Sequence, residues 1–218
     1  MKKTIAPFMT TVLYALPWCI AGVLLCSCAA TSVKQTWKAP EFQQPGGKIA
    51  VLAIENRGLV RQGLENRLVR DLSKAGSSAF VTFDLLSLSQ IKEDKRAAAD
   101  RFRASGAGTV LIMRLVDLGT SYHESRAGNE RYAGTFEGIN STGWYDYFSV
   151  GLMDLNTTYG TLKQTVRIET SLYDLATEKR LWSGLTQTVV KEDMDRVAEM
   201  DPLVEKIVAA MRKDGVIK

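Results

Sequence analysis

The chain has little of what most sites are built from. It holds one histidine, His123, in 218 residues, and its three cysteines, Cys19, Cys26 and Cys28, all fall within the first 28. From Ala29 onward there is no thiol, which excludes an internal disulfide, thiol catalysis and a cysteine-ligated metal there. Structural zinc takes four ligands from His and Cys, so one histidine cannot supply a site. No Asp-x-Asp-x-Asp-Gly series offers a calcium loop, and no Gly-x-Ser-x-Gly elbow presents a serine nucleophile. We therefore expect no cofactor and no metal. Charge of one sign is scarce too. The formal charge is +4, from 28 Lys and Arg against 24 Asp and Glu. Residues 1–27 carry Lys2 and Lys3 and no acid, so the remainder is 26 minus 24, or +2. That is no nucleic-acid footprint.

What is present begins at the N-terminus. Met1-Lys2-Lys3 is followed by a mostly apolar stretch to Leu25 and then by small residues, the layout of a secretory signal peptide. Thr4 to Leu25 is long enough to span a bilayer. Pro7 and Pro17 interrupt it, however, and the residues after it, Ala29-Ala30-Thr31-Ser32, contain no basic stop-transfer cluster. Leu25-Cys26-Ser27-Cys28 resembles the bacterial lipobox. That resemblance implies cleavage after Ser27 and acylation of Cys28, which becomes the mature N-terminus. Two or three acyl chains hold firmly where one holds weakly, since each buried methylene contributes about 0.8 kcal/mol. Ala29, standing where an Asp would retain a lipoprotein in the inner membrane, implies the inner leaflet of the outer membrane, facing the periplasm.

The mature chain is then 191 residues (218 minus 27), the size of one ordinary domain, and at 45% apolar residues it can bury a core. Residues 28–47 read as a tether, with Pro40, Pro45, Gly46 and Gly47 and no apolar period. Its 19 residues after Cys28 would reach at most about 65 Å extended, or roughly 25 Å as a coil, with Trp37 and Phe42 in incidental contact only. The domain itself spans 48–218. Ile49 to Ile54 is an unbroken apolar run of strand length. Val60, Leu64, Leu68 and Leu72 recur every four residues on a helix that Gly76 stops. Ala79–Leu85 reads as a second strand. Ser87 or Ser89 caps a second helix with Ile91, Ala98 and Phe102 inside. Thr109–Val116 is a third strand.

Residues 119–160, rich in Gly, Tyr, Ser, Asn and Thr, break this pattern as a long loop. From Thr165, Val166, Ile168, Thr170 and Leu172 alternate with Arg167, Glu169 and Ser171, a strand with one wet face. Asp174–Lys179 is a turn, and Arg180–Val190 returns as the second arm of a hairpin. In the last helix Asp201 is the cap, Pro202 takes the first position, and Leu203, Val204, Ile207, Val208 and Met211 face inward. The fold class is mixed α/β: a single domain with a mixed sheet of about five strands, in the order β-α-β-α-β-loop-β-β-α.

Candidate chemistry is thin. Ser105-Gly106-Ala107-Gly108 follows a helix and precedes a strand, the reverse of a phosphate loop, and is a helix stop. Glu192, Asp193, Asp195, Glu199 and Asp201 cluster between hairpin and helix. Paired carboxylates can cleave glycosides, but a solvated helix start favoured by the macrodipole is the simpler reading. His123 reads as an exposed loop residue. The segment Thr142–Met153 concentrates Trp144, Tyr145, Tyr147 and Phe148, side chains that anchor binding partners or stack on sugar rings when exposed, and that cover a sheet when folded back.

Val166 to Gly184 (VRIETSLYDLATEKRLWSG) is similar to a block in small bacterial envelope lipoproteins, in which a strand ends in Tyr-Asp, a Thr-containing turn follows, and a Leu-Trp-Ser strand returns. Here these are Tyr173-Asp174, Thr177 and Leu181-Trp182-Ser183; the usual turn carries Gly where this chain has Glu178. The layout over 48–213 resembles the amino-terminal domain of TolB, the lipoprotein activators of peptidoglycan synthases and the curli-secretion lipoprotein. The resemblance implies an outer-membrane-anchored periplasmic binding or assembly module without catalysis. Its partners would be the membrane, through lipid on Cys28, and another envelope protein or peptidoglycan. The alternatives are an oligomeric secretion or pore component, and a cell-wall-processing enzyme relying on His123 or on Glu192, Asp193 and Asp195.

Overall fold

The computed structural model describes residues 30–44, 46–120, 164–190 and 200–218. Its elements are β1 (Ala30–Lys38), β2 (Lys48–Ile54), α1 (Gly58–Lys74), β3 (Ala79–Val81), α2 (Leu88–Glu93), α3 (Lys95–Ala104), β4 (Ala107–Thr120), β5 (Gln164–Asp174), β6 (Arg180–Val190) and α4 (Met200–Lys213). The strands form one mixed sheet in the order β1-β6-β5-β4-β2-β3. β2 runs parallel to β3 and to β4, whereas β4-β5, β5-β6 and β6-β1 are antiparallel. The mixed α/β class stands, with a sixth strand.

That strand is β1, and it overturns the tether. Ala30 to Lys38 lies along β6, from Ala30 opposite Val189 to Lys38 opposite Trp182, with a bulge between Val33 and Gln35. Trp37 and Phe42 are not incidental. The Arg180 guanidinium lies 4.8 Å from the Trp37 ring centroid, and Phe42 packs against the core.

The sheet separates two cores because alternate residues of its strands point to opposite sides. On one face Val51, Ala53, Leu111, Met113, Leu172 and Trp182 meet Leu64, Leu68 and Leu72 of α1 and Leu203, Val204, Ile207 and Met211 of α4. On the other, Ala50, Leu52, Ile54, Val110, Ile112 and Tyr173 meet Ile91 of α2 and Ala98, Ala99 and Phe102 of α3. Helices on both faces explain why β2 reads as an unbroken apolar run. Full burial of each such aliphatic or aromatic side chain contributes about 1.5–3 kcal/mol.

Local chemistry sets the boundaries. Gly215, at φ 66°, follows α4 as the left-handed residue of a Schellman motif: its N–H donates to Arg212 and that of Val216 donates to Met211. Ser87 begins α2 with a reciprocal capping box, its Oγ accepting from the Gln90 N–H while Gln90 Oε1 accepts from the Ser87 N–H. The single helix expected after Ser87 is two. Asp94, extended at φ −140°, ends α2 and caps α3 by accepting from the Ala97 N–H at 2.9 Å. Gly46 crosses Gly108 so closely that a Cβ on Gly108 would stand 1.8 Å from the Gly46 carbonyl oxygen.

β3 is shorter than the expected Ala79–Leu85, and its end has a cause. The Thr82 N–H is shared between the Val51 carbonyl at 3.1 Å and the Glu65 carboxylate at 2.7 Å, and the next N–H, that of Phe83, turns to the same carboxylate at 2.9 Å. Glu65 is fully buried, and it also accepts from the Ala53 N–H at 3.1 Å and from Arg61 Nε at 2.8 Å. Arg61 Nη2 reaches the Leu86 carbonyl and Thr82 Oγ1, both at 3.1 Å. One carboxylate of α1 thus ties the ends of β2 and β3 to the start of α2.

Candidate functional site

Cys28, His123, Trp144, Tyr145, Tyr147, Phe148, Glu192, Asp193, Asp195 and Glu199 lie outside the described residues. The sheet does fix where the chain enters or leaves at four strand ends. Ala30 is opposite Val189, Val190 opposite Gln164, and Gln164 opposite Thr120. The N-terminal end of β1, the end of β4, the start of β5 and the end of β6 therefore share one end of the sheet. Near this end β1 is held to β6 by a hydrogen bond between Thr31 Oγ1 and Thr188 Oγ1 at 3.0 Å.

Neither sheet edge invites an added strand. β3 offers three residues. β1 is bulged and exposes Lys34 and Lys38, devices that oppose edge-to-edge pairing.

The expected wet face of β5 is not wet. Glu169 is 2% exposed and Ser171 fully buried, and they sit beside Arg114 at 1% and Arg180 at 4%. Arg114 stands directly across from Glu169 in the ladder, with Nη2 2.8 Å from Oε2. Arg180 Nη1 lies 3.7 Å from Glu169 Oε1, and its guanidinium stacks on Trp37. Arg114, Glu169 and Arg180, with Tyr173, all have interactions beyond those named. The row crosses β4, β5, β6 and β1 and encloses two cations and one carboxylate. Burial pushes the Tyr173 phenol well above its ordinary value, so it stays neutral at physiological pH. Desolvation offsets much of the Coulomb gain of a charge row this deep, so its presence is weak evidence of added stability. Sequence reasoning missed it because Arg114 stands inside an apolar run and Glu169 at an apparently solvent-facing position.

The opposite face carries Asp201 at the start of α4. It does not cap the helix as expected. Its Oδ1 instead accepts from Arg70 Nη2 at 2.8 Å and from Arg67 Nε at 3.0 Å, clasping α4 to α1. The Arg70 hydrogen bond, opposed by slight burial and reinforced by Arg67, holds the Asp201 carboxyl below its ordinary value. Arg70 does the same for Asp71. Ser105–Gly108 is the expected helix stop, with the Ser105 N–H donating to Arg101 and that of Gly106 to Arg103.

Among the described residues no three His, Cys, Asp or Glu stand together as a metal site, and no helix is long and apolar enough to cross a membrane. A cleft of about 180 Å³ lies between Gly47, Ile49, Gly76, Ser77 and Val216, smaller than the usual ligand pocket of some 300 Å³ or more.

No family model matches the chain, and no curated protein matches it. Among solved structures it aligns with PelC from Paraburkholderia phytofirmans, solved as a dodecamer, at 12% identity and a TM-score of 0.46, covering 82% of this chain and 95% of that one. It also aligns with lipoprotein GNA1162 from Neisseria meningitidis at 16% identity and a TM-score of 0.40, covering 77% of this chain and 99% of that one.

Proposed function

We propose that this protein is a lipid-anchored module of the bacterial envelope that holds another envelope component without transforming it. The observation that carries the reading is Leu25-Cys26-Ser27-Cys28 at the end of a basic-then-apolar leader. On this reading Cys28 is acylated, and the domain sits on the inner leaflet of the outer membrane, facing the periplasm. The partner is an envelope protein or peptidoglycan. The aromatic residues Trp144, Tyr145, Tyr147 and Phe148 make the contact, since large rings presented on a connecting segment are the side chains that anchor interfaces. The segment that carries them joins Thr120 to Gln164, two residues paired in the sheet.

Fractionation of cells tests the anchor. Cys28→Ala should move the protein from membranes to the soluble periplasm, and Ala29→Asp should move it to the inner membrane. Crosslinking in intact cells tests the contact: Trp144→Ala with Tyr147→Ala should lose the trapped partner while the far-ultraviolet circular dichroism stays unchanged. Membrane retention of Cys28→Ala refutes acylation, and undiminished trapping refutes the aromatic contact.

A further inference from the structure

An acyl chain on Cys28 would leave little distance between the membrane and the sheet. Cys28 precedes the first residue of β1 by two positions, and two residues span at most about 7 Å. Register with β6 begins at Ala30, and the Thr31–Thr188 hydrogen bond holds it there, so the leash does not lengthen by fraying into the strand without losing that bond. From Ala30 to Lys38 the strand runs eight steps, roughly 25 Å at about 3.3 Å per residue.

The geometry points to a domain held end-on against the bilayer, and this rests on acylation of Cys28. The junction of Ala30, Val189, Val190, Gln164 and Thr120 is the membrane-facing end. The β5–β6 turn, Asp174 to Lys179, is the end turned to the periplasm. Two features suit this pose. Val189 at the near end is one of two large apolar residues, with Leu59, that stand exposed among the described residues. At the far end Ala176, Thr177 and Lys179 are exposed and polar or small, a surface fitted to water. A ligand reaching the far end does so from the periplasm without meeting headgroups, whereas the segment that joins Thr120 to Gln164 leaves the sheet at the membrane-facing end.

The test uses the acylated full chain in vesicles that contain headgroup nitroxide lipids. Cys28 is consumed by lipid and Cys19 and Cys26 leave with the leader, so Val189→Cys or Lys179→Cys supplies the one reactive thiol for a fluorophore. We expect several-fold stronger quenching at 189 than at 179. Inserting about fifteen Gly and Ser residues between Ala29 and Ala30 should remove most of that difference while the protein still sediments with the vesicles. Equal quenching at the two sites, stronger quenching at 179, or a difference that survives the insertion overturns the end-on pose alone. Failure of the unmutated chain to sediment refutes the acylation reading and the pose with it.

Discussion

The indole of Trp182 lies across Gly184, two residues along the same strand. A Cβ built on Gly184 would stand 2.6 Å from Cη2 of that ring, and the indole Nε1 donates to Asp214 Oδ2 at 2.8 Å, just past the end of α4. The Leu-Trp-Ser-Gly string is therefore a packing device. The glycine makes room, the ring fills the core, and its N–H ties β6 to the last helix. Gly184→Ala should push the ring aside and cost about 1–3 kcal/mol, the range for overpacking a filled core. Trp182→Phe, which keeps most of the area and loses the donor, should leave Asp214 short of a partner and cost at least about 1 kcal/mol. Urea unfolding of both variants reads this directly, and an unchanged midpoint for Gly184→Ala would contradict the geometry.

Glu65 concentrates several tertiary contacts on one buried side chain. Glu65→Ala strands the buried Arg61 and the N–H groups of Ala53 and Phe83, and leaves the Thr82 N–H only its bond to the Val51 carbonyl. Removing one partner of a buried ion pair costs about 3–5 kcal/mol. The double change Arg61→Leu with Glu65→Leu should recover part of that loss, because the buried charge is gone, but not all, because the Ala53 and Phe83 N–H groups remain unmet. Equal stability of the single and double variants would show that the charge is not what matters.

Glu178 occupies the left-handed region at φ 59°, the one non-glycine residue to do so among those described. The turn is otherwise well made, with Asp174 Oδ1 accepting from the N–H groups of Ala176 and Thr177. A left-handed non-glycine residue costs about 1–2 kcal/mol, and glycine returns part of that through a freer unfolded chain. Glu178→Gly should stabilise the protein by up to about 1 kcal/mol in the same assay. Destabilisation would mean that the Glu178 side chain contributes more than its backbone costs.

The carboxyls of Asp71 and Asp201 are both held below their ordinary value of 3.8. A depressed folded-state value means the stability they contribute is fully present above about pH 4 and is lost as pH falls through the folded value. The difference in stability between the unmutated protein and Asp201→Asn should therefore be flat from pH 5 to 8 and shrink below pH 4. The Asp201 side chain is 41% exposed, so screening limits the difference to less than about 1 kcal/mol, and added salt should reduce it further. A difference that grows on acidification would reverse the assignment.

The sequence makes the buried strands and the helix faces legible, because burial on one or both sides leaves a period: β2, α1, the β5–β6 hairpin and α4 stand where the pattern puts them. It hides β1 for physical reasons. An edge strand buries little, and the bulge between Val33 and Gln35 resets the alternation midway, so Val33 and Trp37, four residues apart and on one face by simple alternation, point to opposite faces of the sheet. Arg114, Glu169 and Arg180 are hidden because a charge buried by partners from three strands looks, one strand at a time, like a charge in water. Cys28 is legible as a motif alone, since lipidation is read by enzymes from a short string and not from the fold.

Mass spectrometry of the amino-terminal peptide, taken from protein extracted from membranes, tests the central claim most directly. The account predicts a peptide that begins at Cys28 and carries a thioether-linked diacylglyceryl group. A peptide beginning at an unmodified residue, or one that still includes Leu25-Cys26-Ser27, would contradict it.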